Sequence, residues 1–183
     1  MSIEAKTLNG IELGVLKKTV AAVQREPERD RCRFRVANQW RSGTVNRSSI
    51  SDFYANKEEM THEDTFELDA DEPPMLAGED SNPNPVEYLL HALAACVTTS
   101  MVAHAAVRGI DIEELESEVE GDIDLRGFLG IEESVPKGFT DIRMKFKVKT
   151  DEANLRKLKE LAHYSPVFNT LTQGTRIEIQ FST

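Results

Sequence analysis

Cys96 stands in the middle of "NPNPVEYLLHALAACVTTSM", where turn-forming residues give way to apolar and small ones. A cysteine acts as a nucleophile only as thiolate, and an unperturbed thiol titrates near pH ~8.5, so chemistry here requires a nearby positive charge. At about 100° per residue, Leu89, Ala92, Cys96, Thr99 and Ala103 share one helix face, and Val86, Leu90, Leu93, Val97 and Met101 form a bulkier stripe beside it. Small residues around the sulfur leave room for another backbone or for a cavity. Cys96 lies about ten residues into the expected helix, beyond the first turn where the helix dipole acts. The cation must come from elsewhere: Arg41, at an expected hairpin turn, is the first candidate and Arg47 the second. The plainer alternative is an inert core thiol and two surface charges.

The other chemistry-bearing residues offer less. His91 and His104 fall about 140° and 80° around the helix from Cys96, so neither makes a Cys–His pair with it. His163 precedes Ser165, where capping of a helix C-terminus accounts for it equally well. Cys32 and Cys96 lie far apart, without a CxxC or Cys/His cluster, so no metal site, cofactor or disulfide scaffold is indicated.

These residues need elements to position them. Residues 9–30 read as an amphipathic helix through Ile11, Leu16, Val20 and Val23, with Asn9 as its N-cap and Pro27 past its end. "RCRFRVANQW" alternates Cys32, Phe34 and Val36 with arginines, a half-buried strand that turns Cys32 inward. "RSG" is a turn, and "TVNRSSISDFY" the returning strand. "TFELDA" is a further strand. Residues 68–87, with four prolines and six acids, form a long loop or lid. Asn84 and Pro85 then start the cysteine helix, which Gly109 stops.

Farther on, Val119, Ile123 and Leu125 alternate with acids, and Ile142, Met144, Phe146 and Val148 with bases. Opposite charges on the two polar rows predict that these strands pair. The loop between them exposes Phe128 and Leu129, a surface suited to a second copy of the chain. Asp151–His163 is a second helix through Leu155, Leu158 and Leu161, and Ile177, Ile179 and Phe181 mark a final strand. The element order predicts an α+β fold. Residues 1–30 are expected to form an N-terminal helical extension and 31–183 the main domain.

The 183 residues carry a net charge of −10, with 39% hydrophobic and 30% charged residues. That balance supports a folded chain and argues against a nucleic-acid or anionic-membrane partner. Leu89–Val107 has no formal charge, but its sparse large side chains and unanchored ends suit a core helix better than a membrane span. The opening residues lack the pattern of a secretion signal, and a cytoplasmic location is expected.

"NPVEYLLHALAAC", the small-residue helix and the later "SPVFNTL" ahead of the terminal strand resemble the OsmC/Ohr family of thiol-dependent peroxidases. "DEPPMLAGEDSNPNPVEYLLHALAAC" with "EVEGDIDLRGFLG" is closer to its OsmC-like branch. The resemblance spans about residues 33–181. It implies antiparallel sheets enclosing two central helices, in an intertwined homodimer with active sites at the subunit interface. It further implies that Cys96 attacks an organic hydroperoxide and becomes a sulfenic acid. Arg41 in "WRSG" matches the arginine that activates the thiol.

Two departures stand out. The family's second, resolving cysteine is replaced by Ser165 in "HYSPVF", so either an external thiol reductant or Cys32 takes that role, or peroxide turnover is lost. The acid that holds the family arginine falls at Val86, and Glu87 beside it is the candidate for that role; on a regular helix Glu87 points about 180° away from Cys96, so it joins the site only if the helix start is distorted or it serves the other subunit. The expected function is therefore peroxidase activity on organic hydroperoxides. The alternative is a non-catalytic OsmC-like protein that binds a small hydrophobic ligand.

Overall fold

The computed structural model describes residues 7–182, which cluster into two compact units, one of residues 12–88 and one of residues 7–11 and 89–182. The start of the expected N-terminal helical extension, residues 1–6, lies outside the described residues. β1 (Thr7–Leu8) and β2 (Ile11–Glu12) form a short ribbon. Asn9 and Gly10 turn it at φ +53° and +75°, a conformation that these two residue types tolerate best. This corrects the N-cap assigned to Asn9. Its side chain instead donates to the Ile110 carbonyl at 2.9 Å and accepts from the Ile112 amide at 3.0 Å. The helix α1 starts later, at Leu13–Arg25, with no side-chain cap.

In the first unit, β3 (Arg33–Phe34), β4 (Ala37–Ser42), β5 (Val45–Ala55) and β6 (Glu58–Ala70) form an antiparallel sheet. β5 is central, with β6 on one side and β3 and β4 on the other. The hairpin β4–β5 is the one the alternation predicts, although its first strand is broken and its turn is Gly43–Thr44, with Gly43 at φ +55°. Pairing puts Gln39, Arg47 and Asp69 in one cross-strand row and Trp40, Asn46 and Ala70 in the next. Neighbouring rows face opposite sides of a sheet, so one face is charged and the other carries Trp40, Ile50, Phe66 and Leu68. Rings of Phe34, Phe53, His62 and Phe66 follow one another at 5.9, 5.0 and 5.2 Å.

Cys32 is exposed, which corrects its inward assignment. The apolar row it belongs to has no cover within the described residues: Phe34 is 77% and Val36 61% exposed. Alternation marks a face as apolar but does not supply what buries it.

The second unit is built on α2 (Pro85–Val107), whose first turn belongs to the first unit. A complete Schellman motif ends this helix: the Ile110 amide donates to Ala105 and the Gly109 amide to Ala106, with Gly109 at φ +71° and Ile110 buried. By length and composition α2 could cross a bilayer. Its bulky stripe is instead core, since Leu93, Val97, Met101 and Ala105 pack with Ile110, Leu158 and Leu161.

β7 (Glu114–Ile123) and β8 (Phe139–Lys149) pair as their charges predict, with Glu114, Glu116, Glu118 and Glu120 facing Lys149, Lys147, Lys145 and Arg143. Their apolar row, including Val119, Met144 and Phe146, lies on the core. Between them, the short helix α3 (Leu125–Phe128) leaves Phe128 and Leu129 exposed. The helix α4 (Glu152–Leu161) supplies Leu158 and Leu161. A helix the periodicity does not mark, α5 (Pro166–Gln173), follows. Among the described residues the expected final strand is not formed: residues 174–182 have no ladder partner there, and Ile177, Ile179 and Phe181 are 79%, 75% and 95% exposed. Period-two alternation prepares a segment for a sheet edge, but a strand exists only when a neighbour takes its hydrogen bonds.

Candidate functional site

In the second unit, α2 carries the thiol. Leu93 and Val97 are buried, whereas Cys96 is half-buried on the small-residue side, about 100° from Val97. The sulfur therefore stands off the core stripe rather than inside it. Ser165, fully buried, accepts a hydrogen bond from the Phe168 amide at 3.2 Å and caps α5. Ser165 and Pro166 form a cap-plus-N1-proline signature, the signal that could have revealed α5.

His104 stacks on Tyr164 with ring centroids 4.1 Å apart, and Arg108 Nη1 lies 3.1 Å from His104 Nδ1. A guanidinium can only donate, so Nδ1 accepts and the neutral ring carries its proton on Nε2. Burial and the Arg108 charge hold this imidazole below its ordinary titration range. His163 packs edge-on against Phe168. An apolar groove of about 430 Å3, lined by Leu93, Phe139, Ile142, Met144, Phe168 and Leu171 among others, opens in the same unit.

In the first unit, the hairpin carries both candidate arginines. β4 shifts register between Trp40 and Ser42, so Arg41 sits in a bulge without a direct ladder partner. Bulges of this kind re-aim side chains. Arg41 is exposed and makes no ion pair among the described residues. Arg47 is committed: Nε and Nη2 bind the Asp69 carboxylate at 2.6 and 2.7 Å, and Nη1 binds Glu67 at 3.1 Å. Asp69 is held below the usual carboxylate range, chiefly by its hydrogen bonds from Arg47 and least by the Arg41 field.

Glu87 accepts from the Asn84 amide, and Asn84 Oδ1 accepts from the Glu87 amide, both at 2.9 Å. This reciprocal capping box fixes the start of α2. A residue that periodicity does not single out, Asp71, is fully buried at the end of β6 and accepts from Thr44 in the hairpin turn. Arg41, Arg47, Glu87 and Asp71 thus belong to the first unit, and Cys96 and Ser165 to the second.

The sequence profile described as OsmC-like protein matches residues 78–180, more than half of the chain. The chain belongs to the OsmC-like family. The matched residues include Glu87, Cys96 and Ser165, while Arg41 and Arg47 lie upstream of them. No curated protein matches this OsmC-like chain. Among solved structures it resembles an OsmC-like protein from Mycoplasma pneumoniae, at 18% identity and TM-score 0.57, covering 78% of this chain and 89% of that one. An OsmC-like protein from Vibrio cholerae O1 biovar eltor gives 13%, 0.57, 75% and 92% for the same measures. The organic hydroperoxide resistance protein OsmC from Legionella pneumophila gives 18%, 0.53, 75% and 89%. At these identities the likeness establishes the α+β OsmC-like fold, with its antiparallel sheets and helices.

Proposed function

We propose that this OsmC-like protein is a thiol-dependent peroxidase that reduces organic hydroperoxides through Cys96, as a homodimer and with an external thiol as reductant. The observation that carries this reading is the position of Cys96, half-buried and off the core stripe of α2, within the family-matched segment. A purely structural thiol belongs in the buried stripe, and this one does not occupy it. The hydroperoxide resistance activity named for the Legionella protein agrees with the proposal.

In the proposed reaction the Cys96 thiolate attacks the terminal peroxide oxygen, the O–O bond breaks, and the alkoxide takes a proton to leave as alcohol. Cys96 becomes a sulfenic acid. One molecule of external thiol condenses with it, releasing water and forming a mixed disulfide. A second thiol attacks that disulfide, restoring Cys96 and leaving the oxidised reductant. Arg41 is the proposed activating cation, because Arg47 is already satisfied by two carboxylates. Ser165 has no thiol to condense with the sulfenic acid, and its hydroxyl is used in capping. The exposed apolar face around Phe34, Trp40 and Phe66 supports a dimer that covers it.

Ultraviolet titration of the thiolate, with Cys96→Ser as the control, tests the proposal together with the rate of sulfenic acid formation from an alkyl hydroperoxide. Ionisation well below pH 7 and rapid oxidation are expected; titration at or above ~8.5 without oxidation overturns the reading. The apolar groove beside Leu93 and Phe168 favours a second reading, a non-catalytic binder of a small hydrophobic ligand.

A further inference from the structure

Asp71 accepts five hydrogen bonds. Four come from its own loop: the Glu72 amide at 2.8 Å, the Glu79 and Ser81 amides at 3.1 Å, and Ser81 Oγ at 2.9 Å. The fifth and shortest, at 2.6 Å, comes from Thr44 Oγ1, in the turn that follows Arg41. The loop closes so tightly that a Cβ at Gly78 would lie 1.7 Å from the Glu72 carbonyl oxygen. Loop closure needs the first four bonds; it has no use for the Thr44 bond, which reaches 27 residues back along the chain.

We infer that half-buried Thr44 and buried Asp71 form a clamp that orients the turn bearing Arg41, so that both are positioning residues for the proposed Cys96 site. This rests on the peroxidase reading above. Arg41 occupies a bulge three residues before Thr44, where the ladder does not hold it. The turn is fastened on two sides, by Thr44 to Asp71 and by Trp40 Nε1 to the Gly43 carbonyl at 2.9 Å. The strand opposite is fastened too, since Tyr88 Oη donates to the Asp69 carbonyl and Arg47 grips the Asp69 carboxylate. Arginine is long, so a small twist of the turn displaces its guanidinium by an ångström or more, and a displacement of about 1 Å can cost ~100-fold in rate. The hydrogen bonds from Thr44 and the loop hold the Asp71 carboxyl far below the usual carboxylate range, so the clamp stays ionised.

Thr44→Val tests the clamp, because it removes the donor at constant shape and leaves the four loop bonds in place. The reaction of reduced Cys96 with an alkyl hydroperoxide is measured in Thr44→Val, Arg41→Met and the double variant, alongside the Cys96 titration. Thr44→Val is expected to slow the wild-type reaction about 10- to 100-fold and to raise the thiol titration. In the Arg41→Met background it should add nothing, and Thr44→Ser should restore the rate. A wild-type rate in Thr44→Val, or equal slowing in both backgrounds, overturns the clamp while leaving the peroxidase reading intact. No effect of Arg41→Met overturns both the clamp and the assignment of Arg41. Oxidation unaffected by Cys96→Ser overturns the peroxidase reading and the clamp with it.

Discussion

Arg47 and Asp69 face each other across β5 and β6 and share two hydrogen bonds, Nε to Oδ1 at 2.6 Å and Nη2 to Oδ2 at 2.7 Å. A bidentate pair of this kind fixes both side chains. Two arginines of one hairpin, six residues apart, are thereby given different tasks. Arg47 ties β5 to β6, whereas Arg41 makes no ion pair among the described residues and is the proposed partner of the thiol.

Replacing each arginine by methionine separates these tasks. Arg41→Met should slow Cys96 oxidation by about 10²–10³-fold, the scale of removing one stabilising donor from a site, with little change in melting temperature. Arg47→Met should lower the melting temperature and leave the intrinsic oxidation rate near that of wild type. The opposite pattern would assign Arg47 to the thiol.

Ser165, proposed to stand at the position of the resolving thiol in two-cysteine relatives, caps α5. Ser165→Ala should cost about 1 kcal/mol in denaturant unfolding, the usual value of an N-cap. Ser165→Cys should allow an internal disulfide with Cys96 after one equivalent of hydroperoxide, read by mass spectrometry as the loss of two hydrogens. Persistence of free sulfenic acid in that variant would contradict the family assignment of position 165.

His104 provides a pH signature. Burial and then Arg108 depress its folded titration below the unfolded value of about 6.5, so the folded state binds this proton less readily. The associated stability is present above that value and is lost as the pH falls through it toward the folded one. Melting temperature should therefore fall between about pH 7.5 and 5.5, and His104→Gln should flatten that dependence. An unchanged slope in the variant would place the titration elsewhere.

Packing sets the largest single-site effects. Leu158 is 2% exposed in the α2–α4 core, and Leu158→Ala should cost about 2–5 kcal/mol. Lys147, exposed opposite Glu116, should change stability by less than ~1 kcal/mol when replaced by alanine. Equal effects would mean that the core lies elsewhere.

The parts of the fold that local chemistry governs were legible. Alternation and opposite charge placed β7 beside β8; Asn84, Pro85 and Gly109 bounded α2, which ends in the Schellman motif that a glycine permits. The misses have a common cause. Cys32 and residues 176–181 lie on apolar rows whose cover is not part of their own pattern, and Asn9 found its partners in residues 110 and 112. α5 has too short a periodic run to be recognised except through its cap.

The linear chain alone established which residues prefer helix or strand, which face of each is apolar, and that Cys96 stands among small neighbours, because these depend on backbone periods of 3.6 and 2 residues. Only the tertiary structure distinguished Arg41 from Arg47 and joined Thr44 to Asp71. Those choices depend on register and on hydrogen bonds between residues more than twenty positions apart, and a carboxylate selects its partner by position in space.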